Sequence, residues 1–190
     1  DALPILVWSA LVFAVMVGMF GVRDEPSYLW LALEKPIGTD EDSARELNRL
    51  ADRLVPADRI LRIDHFLGEP AVLDLVGLRF ANRIIEPLLH RDLVESISIT
   101  FDETLGLEGR AGFYDATGAM LDMLVTHLFQ VMAFVAMEPP TALEPRAISE
   151  EKNKVFRSLE PIRPDDVIRG QYAGYRQEDG VDPESDTETF

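Results

Sequence analysis

The chain has no cysteine, only three lysines (Lys35, Lys152, Lys154) and only three histidines (His65, His90, His127). Without cysteine there are no disulfides, no thiolate nucleophile and no cysteine–zinc site. With so few lysines, 18 bases face 34 acids, and the net charge is −16. No basic stripe is present, which argues against a nucleic-acid-binding surface. An anionic substrate would meet a repulsive overall field, so it would need a local positive pocket. Gly-x-Gly-x-x-Gly, the phosphate loop and His-Glu-x-x-His are all missing. No internal repeat is found either.

What is present is ordinary for a globular protein. The apolar share is 47%, and 190 residues suffice for one good core or two small ones. Ala2–Val22 is uncharged and as long as the ~20 residues of a membrane span. No basic segment precedes it, so composition leaves a membrane span and a buried helix of an α/β domain both open. Tyr28–Leu33 reads as a buried strand, followed by a loop at Glu34–Gly38. Thr39 and Asp42 predict a capping box for a helix over Asp40–Leu54, with Ala44, Leu47, Leu50, Ala51 and Leu54 on its apolar face. Ile60–Ile63 predicts a second short strand, and Pro70 opens a helix to about Asn82.

Val94–Phe101 alternates apolar and polar residues, the mark of a half-buried strand. Gly106, Gly109 and Gly112 punctuate a loop. Gly118–Met137 reads as a long helix, apolar all round and therefore buried. Ser149–Leu159 reads as a shorter helix, Val167–Tyr172 as a strand and Gln177–Phe190 as an acidic loop.

Chemistry concentrates in Arg62–Gly68, where Asp64 and His65 sit at the C-terminal end of a predicted strand, and at His127 inside the apolar helix. Ligands gather at that end of α/β sheets. His127 is either a core histidine satisfied by one hydrogen bond or a general base oriented by a carboxylate, most naturally Asp64. Asp122 lies five positions before it, about 140° away round an α-helix, so local spacing does not stack the two. His65 and Lys35 could donate to a phosphate. Glu108 either accepts from sugar hydroxyls or pairs with Arg110. His90, between polar neighbours, is expected at the surface.

Taken in order, RIDHFLG (Arg62–Gly68), LRFAN (Leu78–Asn82), GLEGRAGFYD (Gly106–Asp115) and THLFQVMAFVAME (Thr126–Glu138) resemble the glucose-6-phosphate dehydrogenase family. EKPIG (Glu34–Gly38) and GQY (Gly170–Tyr172) fall in family order on either side. The resemblance implies oxidation of carbon 1 of glucose 6-phosphate to a lactone with NADP, or NAD, as coenzyme. It implies His127 as general base, Asp64 as its partner carboxylate and His65 as a phosphate ligand. Glu108 and Asp122 would bind sugar hydroxyls, and Lys35 would stand between substrate and coenzyme. The implied fold is α/β and α+β: residues 1–64 as the end of a Rossmann-type dinucleotide-binding domain, then 65–190 as part of an α+β domain with an antiparallel sheet.

The complete family member would be a cytoplasmic homodimer, this chain a middle piece of it, and Ala2–Val22 a soluble helix. Three positions depart from the family pattern. Glu69 stands where a phosphate-holding lysine is usual, Phe66 occupies a tyrosine-or-phenylalanine position, and Thr126 replaces an asparagine. Glu69 and the missing glycine loop keep a non-catalytic sugar-phosphate-binding or dimerisation module as the alternative.

Overall fold

The computed structural model describes residues 30–34 and 40–190. Lys35 and the stretch Ala2–Val22 lie outside the described residues. The chain divides into two compact units, Asp1–His65 and Phe66–Phe190.

The described residues of the first unit form a strand–helix–strand element. Strand β1 (Leu31–Glu34) pairs in parallel with β2 (Ile60–Ile63), Leu31 opposite Ile60 and Glu34 opposite Ile63. Parallel neighbours need a crossover, which helix α1 (Glu41–Leu54) supplies. Leu31, Leu33, Ala51, Val55 and Ile60 form the buried cluster.

The helix is capped one residue later than expected from Thr39 and Asp42. The Asp40 carboxylate accepts from the Ser43 amide at 2.8 Å, and the Ser43 hydroxyl accepts from the Asp40 amide at 3.0 Å. The Ser43 amide and the Ser43 hydroxyl, which also donates to the carboxylate at 2.7 Å, hold the Asp40 carboxyl below its usual range. An aspartate there also meets the positive end of the helix dipole, which a threonine at 39 could not do. Of the expected apolar face of α1, Ala51 is buried and Ala44 and Leu47 are half-buried, while Leu50 and Leu54 stay exposed.

The second unit is helical. Helix α2 (Pro70–Phe80) begins with proline at its first turn. Helix α3 (Ala111–Ala119), a π-helical turn (Met120–Leu128) and helix α4 (Phe129–Ala136) follow as one nearly continuous rod. Helix α5 (Pro145–Ser158) completes the set, and α4 packs against both α2 and α5. Arg79, only 3% exposed, ties α2 to the end of α4. Its guanidinium donates to the Phe134 and Met137 carbonyls at 2.7 and 2.8 Å and to the Glu86 carboxylate at 3.1 Å.

The rod departs from the expected helix Gly118–Met137 in two ways. It starts at Ala111, and it is not buried all round: Leu121 and Val125 remain exposed. Ala111–Ala136 is long and apolar enough to cross a membrane by length and composition. Two ionisable residues, Asp122 and His127, lie buried within it, and it packs on α2 and α5. The rod breaks at Gly118, where φ is 71° and ψ 167°. The break leaves the Ala119 amide outside the helical ladder, and the Glu188 carbonyl accepts it at 3.1 Å.

Among the described residues the β1–β2 pair is the only sheet. Val94–Phe101 and Val167–Tyr172, expected as strands, run without ladders, because an alternating segment needs a neighbouring strand to satisfy its backbone. Gly170 alone exchanges backbone bonds with Thr189 and Phe190. The Gln177–Phe190 segment is irregular, as expected, yet firmly seated. Tyr175, Val181 and Ser185 are buried, and Asp115 of α3 gathers the segment. Its carboxylate accepts from the Tyr175 and Ser185 hydroxyls at 2.9 and 2.5 Å, and its carbonyl accepts from the Thr187 hydroxyl.

Candidate active site

In the first unit, β2 delivers Asp64 and His65 at the C-terminal edge of the parallel pair. His65 opens a 3-10 turn, His65–Gly68, and its side chain is exposed. Its Nε2 meets the Glu34 carboxylate at 2.6 Å. That contact follows from register: Glu34 ends β1 directly opposite Ile63, two residues before His65. The sequence offers His65 to a phosphate and gives no sign of this carboxylate beside it, although Glu34 lies in the EKPIG motif.

In the second unit, Asp122 and His127 are 5% and 4% exposed, both inside the π-helical turn. The 140° separation drawn from an α-helix therefore does not hold. In a π-helix the ladder runs from i to i+5, so residues five apart rise nearly one above the other. The Phe129 amide reaches the Leu124 carbonyl in that pattern, and the Thr126 hydroxyl donates to the Leu121 carbonyl at 2.6 Å. The His127 imidazole stacks on the Phe66 ring, with centroids 4.9 Å apart and planes 24° from parallel. Phe66 in turn meets Phe101 edge-on at 5.0 Å.

Asp122 also faces a cavity of about 910 Å³ within this unit, whose lining includes Glu108, Arg110, Tyr114 and Tyr172. Arg110 does not pair with Glu108. It reaches Asp122 at 3.4 Å and lies over the Phe113 ring. Glu108 is exposed and is the one described non-glycine residue with positive φ, 46°. The left-handed backbone is continued by Gly109, φ 82°, which tolerates it without strain. Burial, then the negative charges of Asp122 and Glu188, push the Tyr114 phenol above its ordinary value.

Each predicted residue thus has its place. Asp64 and His65 belong to the first unit; Glu108, Asp122 and His127 belong to the second; Lys35 is outside the described residues. His90 is at the surface, as expected. The residues missed were Phe66, Arg110 and Arg79. A lone arginine inside the apolar run of α2 was the available signal for Arg79. Phe66 and Arg110 lie within the RIDHFLG and GLEGRAGFYD motifs, where Phe66 reads only as a tyrosine-or-phenylalanine position and Arg110 only as a possible partner of Glu108.

For a dinucleotide, the first unit offers the carboxyl ends of two parallel strands joined through a helix, with Glu34 and Asp64 at them. The glycine turn that usually cradles a pyrophosphate is not encoded in these 190 residues. The residues fit the edge of such a site and not its phosphate cradle.

Two family profiles match the chain in sequence. The NAD binding domain of glucose-6-phosphate dehydrogenase matches residues 14–74, and the C-terminal domain of the same enzyme matches residues 76–190. Among similar proteins, the cytoplasmic glucose-6-phosphate 1-dehydrogenase 6 of Arabidopsis thaliana is 41% identical over 189 residues, covering 100% of this chain and 37% of the relative. The glucose-6-phosphate 1-dehydrogenase of Bacillus subtilis is 43% identical, covering 90% of this chain and 38% of its own length. The Mycobacterium avium glucose-6-phosphate 1-dehydrogenase structure superposes with a TM-score of 0.76 at 45% identity, over 83% of this chain and 35% of that one.

A glucose-6-phosphate dehydrogenase solved in complex with glucose 6-phosphate superposes with a TM-score of 0.74 at 33% identity, over 83% of this chain and 34% of that one. The chain spans 37–38% of the length of the first two relatives. Both matched profiles are domains of glucose-6-phosphate dehydrogenase, and the α/β and α+β fold class is theirs. This chain belongs to the glucose-6-phosphate dehydrogenase family.

Proposed function

We propose that this chain carries the proton-transfer and sugar-binding part of a glucose-6-phosphate 1-dehydrogenase. The reaction oxidises C1 of D-glucose 6-phosphate to 6-phospho-glucono-lactone and reduces NADP. The observation that carries the reading is the π-helical turn, which buries a histidine and a carboxylate five residues apart and turns the carboxylate toward a cavity.

A bound nicotinamide dinucleotide supplies the hydride acceptor. His127 takes the proton of the C1 hydroxyl as the C1–H bond gives up its hydride, so that a C1=O bond forms. Asp64 orients and stabilises the resulting imidazolium. Asp122, tied to Arg110, and Glu108 accept from sugar hydroxyls. His65 and Lys35 meet the phosphate and the coenzyme edge. NADP is preferred to NAD on resemblance alone. The complete protein acts as a cytoplasmic homodimer, a reading supported by the cytoplasmic relative from Arabidopsis thaliana for its location.

NADPH formation with glucose 6-phosphate tests the reading. His127→Asn should lower kcat by about 10²- to 10⁴-fold while the sugar still binds. No loss in that variant refutes the assignment. Glu69 at the cap of α2, a carboxylate beside the expected phosphate, favours a second reading, a sugar-phosphate-binding module without turnover. Separate titrations with glucose 6-phosphate and NADP decide between them: sugar binding without coenzyme binding supports the module. Binding of neither sinks both.

A further inference from the structure

We infer that Phe66 is a positioning residue for His127, its ring being the wall that fixes the plane of the imidazole. The inference rests on the reading of His127 as the base. Three observations meet in it.

The first is the stack itself: centroids 4.9 Å apart and planes 24° from parallel fall in the offset-stacked range of aromatic pairs. The second is the support behind it. Phe66 is held edge-on by Phe101 at 5.0 Å and 75°, so the wall is itself braced. Its backbone belongs to a short turn closed by the Glu69 amide on the Phe66 carbonyl at 3.1 Å, just before Pro70 starts α2. The third is the burial of His127, 4% exposed, which puts the ring out of reach of solvent as a partner.

The chemistry explains why a wall is needed. The last torsion of a histidine is broad and two-fold, so backbone and χ1 leave the ring plane loosely set. A base must aim one lone pair at one proton, and small errors of aim lower rate steeply. A flat neighbour at van der Waals distance removes rotations out of its own plane. On the proposed reading three consecutive residues divide the work: Asp64 orients the base and holds its charge, His65 meets the phosphate and Phe66 limits the tilt of the imidazole plane.

The test uses the 190-residue chain with Phe66→Leu, which keeps an apolar side chain without a flat face, and Phe66→Tyr, which keeps the ring. With three histidines in the chain, His127→Asn identifies the imidazole C–H resonances of His127 by NMR. The stack predicts those resonances displaced upfield from those of the exposed His65 and His90. Phe66→Tyr should retain the displacement and Phe66→Leu should abolish it. In turnover, Phe66→Leu should lower kcat on the order of tenfold to a hundredfold. KM for glucose 6-phosphate should stay within about twofold, because the loss is confined to the transition state. Phe66→Tyr should restore kcat.

Phe66→Trp, with a flat indole face, should keep the displacement and serves if the leucine variant fails to fold. Unchanged His127 resonances in Phe66→Leu overturn the inference. So does a kcat equal to that of the parent, or a tyrosine variant that fails to restore it. If the parent chain binds both glucose 6-phosphate and NADP yet forms no NADPH while its His127 resonances are displaced, the reading of His127 as base fails and the stack survives. The two failures are therefore distinguishable.

Discussion

Replacing Arg79 by methionine is the perturbation with the most to lose. The methionine approximates the aliphatic stem and removes the guanidinium, which is 3% exposed and donates to three groups. Two are the Phe134 and Met137 carbonyls at the end of α4, and Met137 is itself 2% exposed. Each buried acceptor left unsatisfied costs about 1–3 kcal/mol. The third is Glu86, whose side chain is 26% exposed and can turn to water, so its contribution is discounted. Breaking a buried pair by removing one partner costs about 3–5 kcal/mol, and this partial exposure puts the expectation near 3 kcal/mol.

That is a large share of the roughly 5–15 kcal/mol that holds a domain together. It corresponds to a fall in Tm of about 6–12 °C at this chain length. Urea unfolding followed by circular dichroism measures it, and the midpoint should fall with the slope unchanged. Arg79→Lys should recover part of the loss, because an ammonium cannot span two carbonyls and a carboxylate at once. Glu86→Gln should be mildest, since the carbonyls keep their donor. A methionine variant destabilised by less than about 1 kcal/mol, the range of ordinary surface contacts, would refute the reasoning.

The packing of the last residues on α3 should depend on acidity. The Ser185 hydroxyl, with Tyr175 and Thr187 and against the effect of burial, holds Asp115 below its ordinary 3.8. Its contribution is therefore present above 3.8 and is lost as pH falls through the lower folded-state value. Limited proteolysis of residues 171–189 should accelerate on acidification, and Asp115→Asn should make the cleavage rate insensitive over that range. Glu69→Lys should lower KM for glucose 6-phosphate by severalfold, on the order of 1 kcal/mol for an exposed charge brought to a dianion. An unchanged KM would show that the Gly68–Pro70 turn does not face the phosphate.

Local signals were enough for much of this architecture. The short apolar run of β2, the capping residues before α1 (read one position early) and the proline opening α2 each act within a few residues. Their readings needed no knowledge of distant chain. Val94–Phe101 shows the opposite case: its alternation is real, but a ladder requires a partner strand that no residue of the segment can provide. The site divides the same way. Spacing and residue type singled out Asp64, His65, Glu108 and His127, and the family resemblance added Asp122, whereas the relation of Asp122 to His127 depends on an extra residue per turn. Nothing in Met120–Leu128 announces a π-helix, because its apolar composition suits an α-helix equally well. The Phe66–His127 stack joins positions far apart in sequence, which periodicity cannot reveal.

The break at Gly118 has an asymmetric consequence for variation. The bond from the Ala119 amide to the Glu188 carbonyl is main chain to main chain, so position 188 can change its side chain and keep the contact. Position 118 has no such latitude. A Cβ there would stand 2.6 Å from the Glu188 carboxylate on a backbone that side chains rarely adopt. Natural or engineered diversity should therefore accumulate on one side of this contact and be purged from the other. The Ala119 amide, whose protection from hydrogen exchange depends on that single acceptor, reports the detachment of the final residues before any helix is lost.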